Sequence, residues 1–199
     1  TIVNDDEIDF ANSTVRGALS ATATTSHITD TGTLTITGAS TFITRATGSN
    51  IELNSSGNAF AAAVTMKAET NGSEAFGNIT FVDSAAVKLH SAAGTNGDLF
   101  IDGSTDGAVG GTLSITATTG DITQGLALAV TGASSFTTSA TNGVITLNNT
   151  SNAFADAVTL STTGSAAHAI IDNGTTTLDI AASTVGGNLT LTSGAAAGI

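Results

Sequence analysis

The chain has 199 residues, no Cys, Pro, Trp or Tyr, and a formal net charge of −12 set by sixteen Asp and Glu against four Lys and Arg. The missing cysteines exclude disulfides and thiolate metal sites. The four scattered cations, Arg16, Arg45, Lys67 and Lys88, exclude a phosphate-neutralising surface, so nucleic acid and anionic membrane are not expected partners.

Thr and Ser make up 58 residues and Gly another 23. Thr favours the pleated surface of strands, and Gly and Asn supply turns. No stretch keeps an i, i+3, i+4 apolar pattern, so helices have no support. No apolar run approaches a membrane span. The opening Thr1-Ile2-Val3-Asn4-Asp5-Asp6 is acidic where a secretory signal is basic.

In chain order the recurring unit is aliphatic, any residue, aliphatic. It occurs at Ile8–Phe10, Leu34–Ile36, Ile51–Leu53, Val64–Met66, Ile79–Phe81, Val87–Leu89 and Leu99–Ile101. It returns at Leu113–Ile115, Leu128–Val130, Ile145–Leu147, Val158–Leu160, Leu178–Ile180 and Leu189–Leu191. Period two turns the outer members of each triplet inward and the middle one, usually Thr, Ser or a charged residue, outward. The pattern predicts many short strands separated by Asn-Gly, Thr-Gly, Asp-Gly and Gly-Gly turns.

The segment 37–65, TGASTFITRATGSNIELNSSGNAFAAAVT, returns ungapped at 131–159 as TGASSFTTSATNGVITLNNTSNAFADAVT, with 18 of 29 positions identical. Residues 8–17 also align with 178–187, so the chain starts and stops within the pattern, as a slice of a longer array does. Val15-Arg16-Gly17-Ala18-Leu19 returns as Val109-Gly110-Gly111-Thr112-Leu113 and as Val185-Gly186-Gly187-Asn188-Leu189, at unequal intervals. Stacked coils tolerate such insertions because each touches only its neighbours. The expected fold is all-β: one continuous parallel β-solenoid over 1–199, an uncapped fragment of a longer array. At roughly 20 residues per coil it would have about ten coils and a length on the order of 50 Å. Like residues, Phe on Phe and Asn on Asn, are expected to stack.

Gly77-Asn78-Ile79-Thr80, Gly120-Asp121-Ile122-Thr123, Ser134-Ser135-Phe136-Thr137-Thr138, Ser151-Asn152-Ala153-Phe154 and Ser183-Thr184-Val185-Gly186-Gly187-Asn188-Leu189-Thr190-Leu191 carry a resemblance. Together they resemble the repeats of filamentous-haemagglutinin-type exoproteins and autotransporter-like bacterial adhesins. The resemblance covers most of the chain and is weakest over 70–106. It implies a right-handed parallel β-helix, exported to the outer cell surface and serving as the shaft of a fibre. The family's N-terminal secretion domain is not in this chain.

Two acidic groups are candidate sites for a hard cation, which takes six to eight oxygens. Asp98, Asp102 and Asp106, interleaved with glycines, are weak calcium candidates matching neither the EF-hand nor the nonapeptide calcium pattern. Asp5, Asp6, Glu7 and Asp9 read as a solvated acidic face. His27, His90 and His168 have no metal-ligand spacing and read as surface or turn residues. The Gly-rich turns lack the Lys and helix of a phosphate loop, and no nucleophile elbow is present. Thr-x-Thr runs at Thr22 and Thr24, Thr33 to Thr37, and Thr190 and Thr192 do not recur at one interval, which argues against an ice-binding array. Eight Asn-x-Ser/Thr sequons lie at Asn12, Asn54, Asn71, Asn78, Asn148, Asn149, Asn173 and Asn188, against roughly four expected from composition.

The expected function is structural, with no enzymatic activity and no cofactor beyond weak calcium. The chain reads as a shaft segment of a secreted surface adhesin or extracellular fibre that spaces a binding tip from the cell. It would self-associate through unpaired strand edges. Host or abiotic surfaces would be met through parts outside this segment. A polysaccharide-active or carbohydrate-binding β-helix is the alternative. Four dispersed cations and the missing Trp and Tyr count against it.

Overall fold

The computed structural model describes residues 1–68, 77–89, 98–101 and 108–195. All regular structure among them is β-strand, and every strand pair is parallel. Two long sheets run through the molecule. Sheet I has ten strands, in the order Ile2–Asn4, Leu19–Ala23, Ser40–Thr44, Val64–Ala68, Asp98–Ile101, Val87–Leu89, Ile122–Gln124, Ile145–Leu147, Ala169–Asp172 and Leu189–Thr192. Sheet II has seven, from Ile8–Phe10 through Ile28–Asp30, Ile51–Leu53, Ile79–Asp83, Leu113–Ala117 and Ser134–Thr141 to Val158–Thr163. Two three-stranded strips complete the coils. One comprises Ser13–Val15, Leu34–Ile36 and Ala59–Phe60, the other Ala108–Val109, Ala129–Val130 and Ala153–Phe154.

This is the expected parallel β-solenoid, with a coarser pitch than the sequence suggested. Seven strands stack in sheet II, so the described coils number about seven rather than ten. At about 4.8 Å per strand, the seven strands of sheet II span roughly 30 Å and the ten strands of sheet I roughly 43 Å. Hydrogen-bonded partners in neighbouring coils lie 20 to 24 residues apart in the regular parts. Around Asp83 and Thr112 they lie 34 and 35 apart. Turns absorb the difference, since their length is free while the strand register is not.

Alternation fills the core. Leu113–Ala117 buries Leu113, Ile115 and Ala117 and turns Ser114 and Thr116 outward. The inward ranks are of two kinds: one in sheet II runs Ile8, Ile28, Ile51, Ile79, Leu113, aliphatic on aliphatic as expected, while others mix sizes and put no Phe on Phe. Another rank of sheet II reads Phe10, Asp30, Leu53, Phe81, Ile115, Phe136, Leu160 along the stack. In sheet I, Phe42 sits between Ala21 and Met66. Large beside small fills a close-packed interior at native density, which a column of identical rings in one cross-section would not do. Aromatic contacts run across the coil instead: Phe42 meets Phe10 at 6.0 Å and Phe60 at 6.3 Å, both edge to face.

The duplicated block changes sides. In the first copy the chain passes sheet I, sheet II, strip and sheet I again. Phe42 lies in sheet I, Ile51 and Leu53 in sheet II, Phe60 in the strip and Val64 in sheet I. In the second copy Phe136 lies in sheet II, Ile145 and Leu147 in sheet I, Phe154 in the other strip and Val158 in sheet II. The strip therefore follows sheet II in the first half and sheet I in the second. Because all strands stay parallel, it moves from one edge of the paired sheets to the other. The change falls where the coils lengthen, so the two copies are out of phase by one sheet.

Candidate functional site

The most polar buried place is the turn that joins each copy's second strand to its strip. The triplet Ile28-Thr29-Asp30 puts Asp30 on the inward side, where it is 6% exposed. A buried carboxylate needs donors, and this one has them. Asp30 Oδ1 accepts the amide of Asn54 at 2.8 Å. The Ser55 amide lies 3.3 Å from both carboxylate oxygens. Asn58 Nδ2 donates to Oδ2 at 2.5 Å. Asn58, fully buried, in turn accepts the Leu34 amide on its Oδ1 at 2.8 Å.

The second copy builds the same turn without the charge. Gln124 stands 94 positions after Asp30, and Asn152 the same distance after Asn58. Asn152 Oδ1 accepts the Leu128 amide at 2.9 Å, and its Nδ2 donates to Gln124 Oε1 at 3.1 Å. Gln124 Nε2 donates to Asn152 Oδ1 and, at 2.7 Å, to the Leu126 carbonyl. The cluster's donors and acceptors are thus turned on one another and on the backbone, so its chemistry is that of a structural staple.

A second polar series precedes the next strand of each coil, where a side-chain acceptor takes a backbone N–H from the following coil. His27 Nδ1 accepts from Asn50 at 2.9 Å, Asn50 Oδ1 from Asn78 at 2.9 Å and Asn78 Oδ1 from Thr112 at 2.8 Å. In the second half Asp121 Oδ1 accepts from Val144 at 2.9 Å and His168 Nδ1 from Asn188 at 2.8 Å. His27 and His168 are therefore half-buried turn residues. Accepting on Nδ1 places the proton of each neutral ring on Nε2.

Among the described residues, burial acts on the titration of Asp83. Desolvation raises its pKa above the ordinary value of 3.8, partly offset by hydrogen bonds from the backbone of Phe60, Ala85 and Ser84. The Phe60 and Ala85 amides approach Oδ1 at 3.4 and 3.3 Å.

The acidic candidates fall as follows. Asp98 begins a sheet I strand, in register with Lys88. Asp102, Asp106 and His90 lie outside the described residues. Asp5, Asp6, Glu7 and Asp9 are exposed. Glu7 and Asp9 are drawn to the next coil: Thr29 Oγ1 donates to Glu7 Oε1 at 3.0 Å, and Thr31 Oγ1 to Asp9 Oδ2 at 2.8 Å. Among the described residues no three His, Asp or Glu side chains converge as a metal cluster. The Thr22 rank reads Val3, Thr22, Ile43, Lys67, so that Thr-x-Thr run forms no hydroxyl array. Asp30, Gln124 and Asp83 were not singled out from the sequence. For Asp30 a signal existed, since period two applied to Ile28-Thr29-Asp30 sends a carboxylate inward.

A family profile described as repeats of unknown function, DUF5649, matches residues 1–67 and 76–161, more than half of the chain. The chain belongs to the DUF5649 repeats. Neither a curated protein nor a solved structure matches the chain.

Proposed function

We propose that this chain is a structural shaft segment of a secreted bacterial surface adhesin or extracellular fibre. One observation supports the reading above others: sheets I and II pass without interruption through both copies of the duplicated block. The buried apolar side chains form one continuous cluster from Ile8 to Leu178. The buried polar turns are spent on joining coil to coil. A stack of this kind transmits length and stiffness, and coils can be added without rebuilding a global core.

The test is immunogold electron microscopy on intact cells of the source organism, with antibody raised against this chain. Gold is expected outside the cell, on filaments and set back from their tips. Label only inside lysed cells, or only at filament tips, overturns the proposal.

A further inference from the structure

Five junctions among the described coils share one clasp. In each, the side chain of the residue just before a strand accepts a backbone N–H from the next coil. The donor residue's carbonyl in turn accepts the first N–H of that strand. His27 and Asn50 form it, with Asn50 N–H to His27 Nδ1 at 2.9 Å and Ile28 N–H to the Asn50 carbonyl at 3.0 Å. His168 and Asn188 repeat it at 2.8 Å to the ring and 2.9 Å from Ala169 N–H to the Asn188 carbonyl. Between them lie Asn50 with Asn78, Asn78 with Thr112, and Asp121 with Val144, each closed by a side-chain oxygen.

The five clasps differ in what a proton does to them. A carboxamide or carboxyl oxygen keeps a lone pair at any pH. A neutral imidazole accepts on one nitrogen, whereas both nitrogens of the imidazolium are donors. Turning the protonated ring over does not restore the bond, because it then presents a C–H. We propose that His27 and His168 are proton-operated latches, which open their two junctions in mild acid while the three oxygen-closed junctions between them hold. Only the neutral ring satisfies the Asn50 or Asn188 amide, and it does so only in the folded chain. Folding therefore favours the neutral form, and the contribution of each latch is lost as pH falls through the imidazole range.

The two latches differ in their charged surroundings. On the segments packed against His27 stand Glu7 and Asp9 in the preceding coil, Arg45 and Glu52 in the following coil, and Asp30 on its own strand. Asn50 Nδ2 donates to Glu52 Oε1 at 3.0 Å. Around His168 the neighbouring segments 141–147 and 184–192 hold no titratable side chain. Asp172, at the end of the strand that follows His168, takes the Gly174 amide at 2.8 Å. A pH effect at the Asn188 amide therefore belongs to His168. Gly187 lies against the ring, since a Cβ there would come 2.6 Å from Nδ1, so no side chain intervenes in this clasp.

The experiment is residue-resolved amide hydrogen exchange at about pH 7.5 and about pH 5.5, corrected for intrinsic rates, beside His27→Asn and His168→Asn variants. Protection of the Asn50 and Asn188 amides should drop about five- to tenfold in acid, the worth of one net hydrogen bond. The Asn78 and Thr112 amides, bound by carboxamides, should not change. Each variant keeps an acceptor oxygen and should abolish the drop at its own junction alone. Imidazole nitrogen shifts of the parent protein should show Nε2–H rings giving way to imidazolium over the same interval, which keeps the test decisive if a variant fails to fold. Unchanged protection at Asn50 or Asn188, an equal drop at Asn78 and Thr112, or a drop that survives in the variants overturns the proposal. So do rings that stay neutral at the lower pH.

Discussion

Phe42 and Phe60 meet edge to face, with ring centroids 6.3 Å apart and planes at 88°. Their counterparts Phe136 and Phe154 repeat the contact at 5.8 Å and 77°, although each pair member facing a long sheet faces the opposite one. The duplicated block therefore carries its own local packing. What it inherits from position in the chain is only which side of the rod it occupies. Other contacts are carried along in the same way: Gly38 donates its amide to Gly17 at 3.2 Å, and Gly132 to Gly111 at 3.1 Å.

Truncating these rings should have equal effects in both copies. Phe42 and Phe136 are fully buried, so Phe42→Ala and Phe136→Ala are each expected to cost about 3–5 kcal/mol. Leucine at either site should cost less, because it leaves a smaller cavity. Urea denaturation checks this. A double-mutant cycle on Phe136 and Phe154 should return a coupling of about 0.5–1.5 kcal/mol. A Phe136→Ala cost far below that of Phe42→Ala would mean that the copies are not equivalent packing units.

The turn staples predict a charge effect in the first copy that the second lacks. Asn58→Asp replaces a donor 2.5 Å from the Asp30 carboxylate with a second carboxylate. It should be strongly destabilising at neutral pH and partly rescued by Asp30→Asn in the same chain. Asn152→Asp faces the uncharged Gln124 and should cost less. Thermal unfolding of the three variants and the double mutant reads the comparison directly.

Ser40 and Ser134 are equivalent, buried at 2% and 3% exposure, and neither hydroxyl has a hydrogen-bond partner. Ser40 stands between Leu19 and Val64, and Ser134 between Leu113 and Val158. An unpaired buried hydroxyl costs about 1–3 kcal/mol by mutational data. Ser40→Ala and Ser134→Ala should therefore stabilise the protein, by about 1 kcal/mol each, in chemical denaturation. A loss of stability would show that the hydroxyls are satisfied, by internal water for instance.

Glycine spacing gives a matched pair of opposite outcomes. A Cβ on Gly132 would lie 2.6 Å from the Gly111 carbonyl oxygen and 2.7 Å from its carbon, so the coils would have to separate. Gly132→Ala should cost about 1–3 kcal/mol, as overpacking does. A Cβ on Gly17 meets nothing within 4 Å, and its φ is not in the left-handed region. Gly17→Ala should be neutral or stabilise by about 0.4–1 kcal/mol, because it restricts the unfolded chain. Thermal melts of the two variants decide it.

Strands whose inward residues are large were plain in the sequence. Ile51–Leu53, Ile79–Phe81 and Leu113–Ile115 all stand where alternation put them. Leu19–Ala23 was missed because Ala21 and Ala23 give almost no hydropathy contrast with Ser20 and Thr22, and Ala169–Asp172 because the outward Ile170 is as apolar as the inward Ile171. Ile122–Gln124 was missed because its inward series ends in a glutamine satisfied by a side chain 28 residues away. Leu178–Ile180, read as a triplet, forms only an isolated bridge from Ile180 to Val158. The exchange of sheets could not be read at all. It depends on how many residues the lengthened coil spends in turns, and no local pattern encodes that.

Asp83 sets an expected pH dependence. It lies at the inward end of Ile79–Asp83, 2% exposed and paired in register with Ala117. Burial is the larger influence and favours the neutral acid, while the Phe60, Ala85 and Ser84 hydrogen bonds oppose it, so the folded-state pKa lies above 3.8. The unfolded chain then releases this proton at lower pH than the folded one does. The contribution is complete below the unfolded pKa and is lost as pH rises through the folded pKa. Stability from this residue should thus fall on going from acid toward neutral pH, opposite to the trend of a salt-bridged aspartate. Asp83→Asn keeps the shape without the charge. It should be more stable than the parent protein at pH 7, with the gap closing as pH is lowered toward 4. Melting temperatures of both proteins across that interval provide the check. A gap that widened on acidification would show that the ionised carboxylate is the stabilising form, and that the backbone amides outweigh its burial.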